Sequence, residues 1–250
     1  MITPTDQSSP MNDNRIFCII VAAGTGSRFG ADLPKQFCDL NGLPVVMHTI
    51  NRLRASLPSG SELLLVISDQ MRSLWDELCR RHAFESPRLV SGGAMRWQSV
   101  ANALSVLPDD DATADRVVMV HDAARPFVTK EVVSRLAEAV TVGGADGAVP
   151  AVAVTDSMRI MGKDSTSSAV DRSRYRAVQT PQAFKLSTIK KAYLTPYSPA
   201  MTDDASVCEA AGITAITMVE GDHRTLKITH PADMATVTYY MSEDGSTSKH

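Results

Sequence analysis

Continuous apolar runs recur along the chain, and the stretches between them carry apolar residues at helical spacing. Ile16-Phe17-Cys18-Ile19-Ile20-Val21 is the first run, rich in β-branched residues and without the polar alternation of a half-exposed strand. It predicts a central strand of a parallel sheet, buried on both faces. Leu63-Leu64-Leu65-Val66-Ile67, Arg88-Leu89-Val90, Arg116-Val117-Val118-Met119-Val120 and Ala148 to Val154 predict further strands. Pro44 predicts the start of a helix through Val45, Val46, His48, Ile50 and Leu53. Ser68-Asp69 predicts a cap for a helix carrying Leu74, Trp75 and Leu78, and Thr129 one for a helix through Val132, Val133, Leu136 and Val140. Val100, Leu104 and Leu107 mark a further helix between them.

Strand and helix alternating in this way predict an α/β fold, a mostly parallel sheet with helices on both faces. Ligands of such open sheets bind outside the carboxyl ends of the strands. Three unusual loops follow predicted strands: Gly24 to Gly30, Gly92-Gly93 and His121 to Pro126. They are expected to line one edge of the sheet together.

The alternation breaks between Asp156 and Thr180. Asp164 to Ser168 reads as the tip of a hairpin between Met158–Met161 and Ala169–Arg172. An excursion of that kind reads as an arm, spanning about 156–174, that reaches a second subunit, because an exposed strand edge otherwise invites pairing. Residues 1–14 and 241–250 are polar and read as frayed tails around a single domain of residues 15–240. The first of them has neither the basic start nor the apolar stretch of a signal peptide, and no apolar run approaches a membrane span.

Composition changes this picture little. The chain has 250 residues, 44% of them hydrophobic and 21% charged, as in ordinary globular domains. A net charge of -3 gives no global reason to expect nucleic acid or a membrane as partner, so any basic site is local. Cys18, Cys38, Cys79 and Cys208 form no C-x-x-C pair and read as free thiols of a cytoplasmic protein. His48, His82, His223 and His230 lack metal-ligand spacing, and His121 reads as a structural hydrogen-bonding group. Thr202-Asp203-Asp204 reads as a helix start rather than a metal site.

The chemistry concentrates in Ala22-Ala23-Gly24-Thr25-Gly26-Ser27-Arg28-Phe29-Gly30, followed by Pro34-Lys35-Gln36. The dinucleotide fingerprint fails because Phe29 stands where its third glycine belongs, and the P-loop fails because Ala31 follows Gly30. What remains is a small-residue loop whose peptide N–H groups suit an anion, with two nearby cations, Arg28 and Lys35. That combination suits a polyphosphate.

With Val120-His121-Asp122-Ala123-Ala124-Arg125-Pro126, Asp156-Ser157-Met158, Val170-Asp171-Arg172, Gln179-Thr180-Pro181-Gln182, Thr202 to Ser206 and Leu226-Lys227-Ile228-Thr229, the chain resembles the 2-C-methyl-D-erythritol 4-phosphate cytidylyltransferase family. The motifs occur in order, and the resemblance covers roughly Ile16 to Tyr240. The resemblance implies a three-layer αβα, Rossmann-like nucleotidyltransferase fold with a β-arm for dimerisation. It implies that methylerythritol phosphate attacks the α-phosphorus of CTP and expels pyrophosphate, with Mg²⁺ on the triphosphate and no metal ligands from the chain. An ionised phosphate nucleophile needs no general base, so the site has to supply positioning and charge.

By the same resemblance Arg28, Lys35, Arg172 and Lys227 are the catalytic cations. Ala22, Ala23, Gly24, Thr25, Gly26, Gly93, Ser99 and Ala123 would hold CTP. Asp122, Arg125, Ser157 and Thr180 would contact the second substrate, with Arg172 and Ser157 supplied across a homodimer interface. The chain departs from the family at Val21, Ala94, Ala153 and Ser157, none of which removes a cation or a phosphate-binding glycine. Two competing readings are a ribitol-5-phosphate cytidylyltransferase and a nucleotide-binding protein without turnover; the retention of both Arg28 and Lys35 speaks against the latter.

Overall fold

The computed structural model of the chain describes residues 15–24 and 33–247. Thr25, Gly26 and Arg28, assigned to the site above, and residues 1–14 lie outside the described residues. In chain order the elements are β1 (Phe17–Val21), β2 (Asp39–Leu40), β3 (Leu43–Pro44), α1 (Val45–Ser56), β4 (Glu62–Ile67), α2 (Arg72–Arg81), β5 (Arg88–Ser91), α3 (Arg96–Ser105), β6 (Val117–Asp122) and α4 (Lys130–Thr141). They continue with β7 (Gly147–Ala153), β8 (Arg159–Met161), β9 (Ser167–Ala169), β10 (Arg176–Val178), β11 (Gln182–Lys185), α5 (Leu186–Ala192), α6 (Asp204–Ala210), β12 (Ile216–Glu220) and α7 (Pro231–Thr247).

β1 is central, pairing in parallel with both β4 and β6, while β5 extends the sheet beyond β4. On the other side β11 runs antiparallel between β6 and β7, and β12 pairs in parallel with β7. The sheet is therefore mixed, with one reversed position that β10 and β11 share. The period-2 geometry of strands sends alternate side chains to opposite layers. Cys18, Ile20, Leu65, Ile67 and Met119 pack with α1, α2 and α4, whereas Ile19, Leu64, Val66 and Val120 pack with α3, α5 and α6. Both faces are covered, which is why these strands read as unbroken apolar runs. The three-layer αβα expectation holds.

Several local expectations need adjusting. Ser68 makes no side-chain cap; instead the Asp69 carboxylate accepts from Arg72 Nε at 2.9 Å and from Ser91 Oγ at 2.8 Å. Thr129 does cap α4, accepting from Val132 N–H, and Asp203 caps α6 in a capping box with Ser206. In the arm, β8 pairs with β9 from Arg159↔Ala169 to Met161↔Ser167, so the second strand starts before Ala169. The turn tightens because Asp164 and Ser165 both take positive φ. The boundary set at Tyr240 is also crossed: α7 continues to Thr247, helped by a 2.6 Å hydrogen bond from the Tyr239 hydroxyl to Glu243 one turn on. All four cysteines are free thiols, and burial pushes Cys18 and Cys208 up to about 12. Among the described residues no helix is long and apolar enough to cross a membrane.

Candidate active site

The carboxyl ends of β1, β4, β5 and β6 open onto a cleft of about 810 Å³. Its walls come from the loops after those strands: Ala22, Ala23 and Gly24 after β1, Asp69 and Gln70 after β4, and Gly93 after β5. Asp122 and Ala123 at the end of β6, with Lys35 and Lys227, complete it. The loops predicted to converge therefore do so, apart from residues 25–30 of the first, which lie outside the described residues. Parallel pairing is the cause, since it stacks equivalent strand ends at one edge.

The first loop is held from below. Ala22 N–H donates to Val66 O at 2.8 Å, extending the β1–β4 ladder. Gln36, only 4% exposed, donates through Nε2 to the carbonyls of Ala22 at 2.6 Å and Gly24 at 2.8 Å. These bonds tie down the backbone of Ala22 and Gly24, which line the cleft. A Cβ added to Gly24 would meet nothing within 4 Å among the described residues. Among the described residues, packing therefore gives no reason for glycine there.

The loop after β5 is tight for internal reasons. A Cβ at Gly92 would lie 2.3 Å from Ala23 Cβ, and one at Gly93 only 2.1 Å from Gln98 Cγ. Gly93 N–H donates to Ser99 Oγ at 3.1 Å, and that hydroxyl donates to Met95 O at 3.0 Å. Ser99 thus shapes the loop with the hydrogen bonds it was expected to offer a base.

Charge gathers around Asp122 on the cleft floor. Lys227 Nζ lies 2.8 Å from its Oδ2, Arg96 Nε 3.4 Å from its Oδ1 and Arg125 Nε 3.6 Å from its Oδ2. Burial alone would raise the Asp122 pKa, but Arg96, Lys227 and Arg125 hold it well below the usual carboxylate range. Lys227 is brought there because Ile228 N–H donates to Ala124 O at 2.9 Å, laying the segment beside the end of β6. Asp233 at the start of α7 accepts from the N–H groups of Thr229 and His230, both at 2.7 Å, and fixes the other side.

Beneath Asp122 a neutral relay sets its backbone. Asp122 N–H donates to Thr180 Oγ1 at 3.0 Å, and the same oxygen lies 3.0 Å from His121 Nδ1. His121 Nε2 lies 3.0 Å from Arg125 O. Burial pushes the His121 pKa down to about 4, so the ring is neutral at neutral pH. A carbonyl only accepts, so the ring proton sits on Nε2 and the Thr180 hydroxyl donates to Nδ1. His121 is structural, as read from sequence. Thr180, 5% exposed, has its hydroxyl in this relay and turns it inward.

Ala22, Ala23, Gly24, Lys35, Gly93, Ser99, Asp122, Ala123 and Lys227 thus meet in one cleft, with Arg125 against Asp122. Ser157 and Arg172 do not line it; both are exposed in the arm, where the Arg172 guanidinium donates to Thr155 O of its own chain. Two contributors escaped the sequence reading. Gln36 sat inside the quoted Pro34-Lys35-Gln36 motif, and its buried amide was the missing signal. Arg96 opens α3 and lines the cleft, but its main partner, Asp204, is 108 residues away. Only the unfavourable placement of a cation at a helix N-terminus hinted at it. No group of three His, Cys, Asp or Glu side chains among the described residues is placed to hold a metal ion.

Residues 16–243 match the family model of 2-C-methyl-D-erythritol 4-phosphate cytidylyltransferase. The enzyme of that name from Bacteroides thetaiotaomicron is 40% identical over 217 residues, 86% of this chain and 94% of its own. The one from Porphyromonas gingivalis W83 is 39% identical over 224 residues, covering 89% and 96%. Among solved structures, a 4-diphosphocytidyl-2C-methyl-D-erythritol synthase superimposes with a TM-score of 0.74 at 26% identity, over 91% of this chain and 99% of the other. The Francisella tularensis cytidylyltransferase gives 0.73 at 28% identity, over 90% and 99%.

Proposed function

Because the chain belongs to the 2-C-methyl-D-erythritol 4-phosphate cytidylyltransferase family, we propose that its cleft binds CTP beside that polyol phosphate and joins them. The protein is a nucleotidyltransferase, and the reaction is CMP transfer from CTP to 2-C-methyl-D-erythritol 4-phosphate in isoprenoid precursor synthesis. A phosphate oxygen of the acceptor forms a bond to the α-phosphorus of CTP. The bond from that phosphorus to the bridging oxygen breaks, and pyrophosphate leaves with the electron pair.

The observation that carries the reading is the meeting of the Ala22–Gly24 backbone with Lys35, Asp122 and Lys227 around one cleft of about 810 Å³. The loop backbone at Ala22, Ala23 and Gly24 takes the nucleotide, with Gly93 and Ala123 on either side; Thr25 and Gly26 continue it. Ser99 acts by holding the Gly93 loop in shape. Lys35, with Arg28, neutralises charge that grows on the α-phosphate and the departing pyrophosphate. Lys227 meets the acceptor phosphate, and Asp122 with Arg125 orients it. The nucleophile arrives ionised, so no side chain has to take its proton. Thr180 contributes through the Asp122 backbone.

Mg²⁺ is the divalent cation of this reading; it would be held by the triphosphate and would supply charge neutralisation there. The buried cleft carboxylate, Asp122, is already engaged by Arg96, Arg125 and Lys227, so these side chains do not form a metal site. The arm serves a homodimer: Ile160 and Met161 are 57% and 71% exposed on it, apolar surface that a second copy would cover. Arg172 and Ser157 then reach the partner's cleft, and the enzyme works in the cytoplasm as one domain per chain.

The test is pyrophosphate release from CTP and Mg²⁺ with 2-C-methyl-D-erythritol 4-phosphate, ribitol 5-phosphate or no acceptor. Release with the first alone supports the reading. Release with ribitol 5-phosphate alone moves the protein to the sister activity, and binding of CTP without release under any condition overturns catalysis.

A further inference from the structure

Arg96 occupies an unfavourable place for a cation, the first turn of α3, where the helix end is itself positive. It is held there by Asp204, which is 0% exposed. Nη1 lies 3.0 Å from Oδ1 and Nη2 2.7 Å from Oδ2, a bidentate pair. Asp204 is fixed in turn. The Tyr193 hydroxyl donates to its Oδ1 at 2.6 Å, and Gln182 Oε1 accepts from the N–H groups of Asp204 and Ala205 at 3.1 and 3.0 Å. A buried carboxylate with these partners and a two-point Arg leaves the guanidinium little freedom. Its remaining nitrogen, Nε, is directed at Asp122 Oδ1, while Lys227 occupies Asp122 Oδ2. The order Asp204, Arg96, Asp122, Lys227 alternates in sign from the interior to the cleft.

We propose that Arg96, anchored on buried Asp204, is a positioning residue that aims the Asp122 carboxylate, and through it the Lys227 ammonium, into the cleft before substrate binds. The proposal rests on the functional reading given above. Without the anchor, Arg96 would follow Asp122 rather than direct it. Lys227, 43% exposed and on a flexible stem, would then sample positions away from the acceptor phosphate.

Three variants test it: Asp204→Asn, which weakens the anchor, Tyr193→Phe, which removes one of its hydrogen bonds without touching Arg96, and Arg96→Lys. Each is assayed for kcat and for the KM of each substrate, with folding followed by circular dichroism. The expected result for Asp204→Asn and Arg96→Lys is a fall in kcat of about tenfold or more, a rise in acceptor KM and little change in CTP affinity. Tyr193→Phe should move in the same direction by less, and it remains informative if Asp204→Asn folds poorly. The deciding measurement is the cycle with Asp122→Asn. If Arg96 acts through Asp122, the Arg96→Lys/Asp122→Asn double variant is no slower than Asp122→Asn alone. Multiplying losses overturn the proposal, as does a fall confined to CTP affinity. A crystal structure of Asp204→Asn or Tyr193→Phe gives a readout independent of turnover. The 2.8 Å Asp122–Lys227 contact should lengthen or break, and its persistence unchanged overturns the proposal. A wild-type protein that releases no pyrophosphate instead sinks the functional reading and leaves that crystallographic test standing.

Discussion

Lys227 Nζ and Asp122 Oδ2 stand 2.8 Å apart, joining the segment before α7 to the end of β6 across the floor of the cleft. The pair is asymmetric. Asp122 is nearly buried and has Arg96 and Arg125 as further partners, whereas Lys227 is 43% exposed and faces the open space. Removing Lys227 therefore leaves Asp122 compensated, and folding is expected to survive. Lys227→Met should keep the thermal unfolding midpoint within a few degrees while kcat/KM for the acceptor falls by about 10²–10³. A midpoint that collapses together with activity would show that the lysine is mainly structural.

Lys35 borders the cleft beside the glycine loop and is expected to act on charge that develops during transfer. Lys35→Ala should lower kcat by about 10²–10³ with a smaller effect on CTP binding. Single-turnover rates set against CTP dissociation constants from calorimetry make the comparison. Near-normal turnover would remove Lys35 from the chemistry.

Gly24 and Gly92 give contrasting expectations for an added methyl group. A methyl at Gly24 meets nothing among the described residues, so Gly24→Ala should leave stability within about 0.5 kcal/mol yet weaken CTP binding. At Gly92 the methyl would overlap Ala23 Cβ at 2.3 Å, so Gly92→Ala should destabilise by about 1–3 kcal/mol. Urea unfolding and CTP titration of both variants check the contrast.

Gln36 supplies donors to two loop carbonyls. Gln36→Leu preserves bulk but leaves Ala22 O and Gly24 O without them, a loss of about 1–3 kcal/mol for a buried unsatisfied group. A higher KM for CTP should accompany the stability loss if the proposed nucleotide site is right, because the same backbone lines the cleft. An unchanged KM would show that the loop does not need this support.

His121 gives a pH signature. Its folded pKa is depressed from 6.5 to about 4, so between those values the unfolded chain binds the proton more readily. Stability from this group is therefore complete above pH 6.5 and is lost as pH falls toward 4, up to about 3 kcal/mol in all. Urea unfolding from pH 7 to 4.5 should show His121→Asn, a neutral replacement, losing less stability across the window than the wild type. Parallel pH profiles for the two proteins would contradict a buried neutral imidazole.

The long buried strands were legible because both faces of β1, β4 and β6 are covered, which demands apolar residues at every position. β10 and β12 were not: the first is exposed at all three positions and the second at most of its five, so neither leaves an apolar run. β11 is short and reversed, and its Gln182 is buried by hydrogen bonds to Asp203 and the start of α6, a partnership with no local trace. In the site, the glycine loop, Lys35, Asp122 and Lys227 were readable as motifs. Arg96 was not, since its meaning lies in Asp204.

By itself the sequence determined the layered α/β class, the sheet edge at which the cleft opens and the residue types that line it. Those follow from local periodicity and from chemistry carried by contiguous residues. The tertiary structure alone decided how charges are paired, which hydroxyls are already engaged, and that Ser99 and Thr180 shape the site through the backbone. Such outcomes depend on which distant groups approach within hydrogen-bond distance once both layers close on the sheet, and no spacing along the chain encodes that.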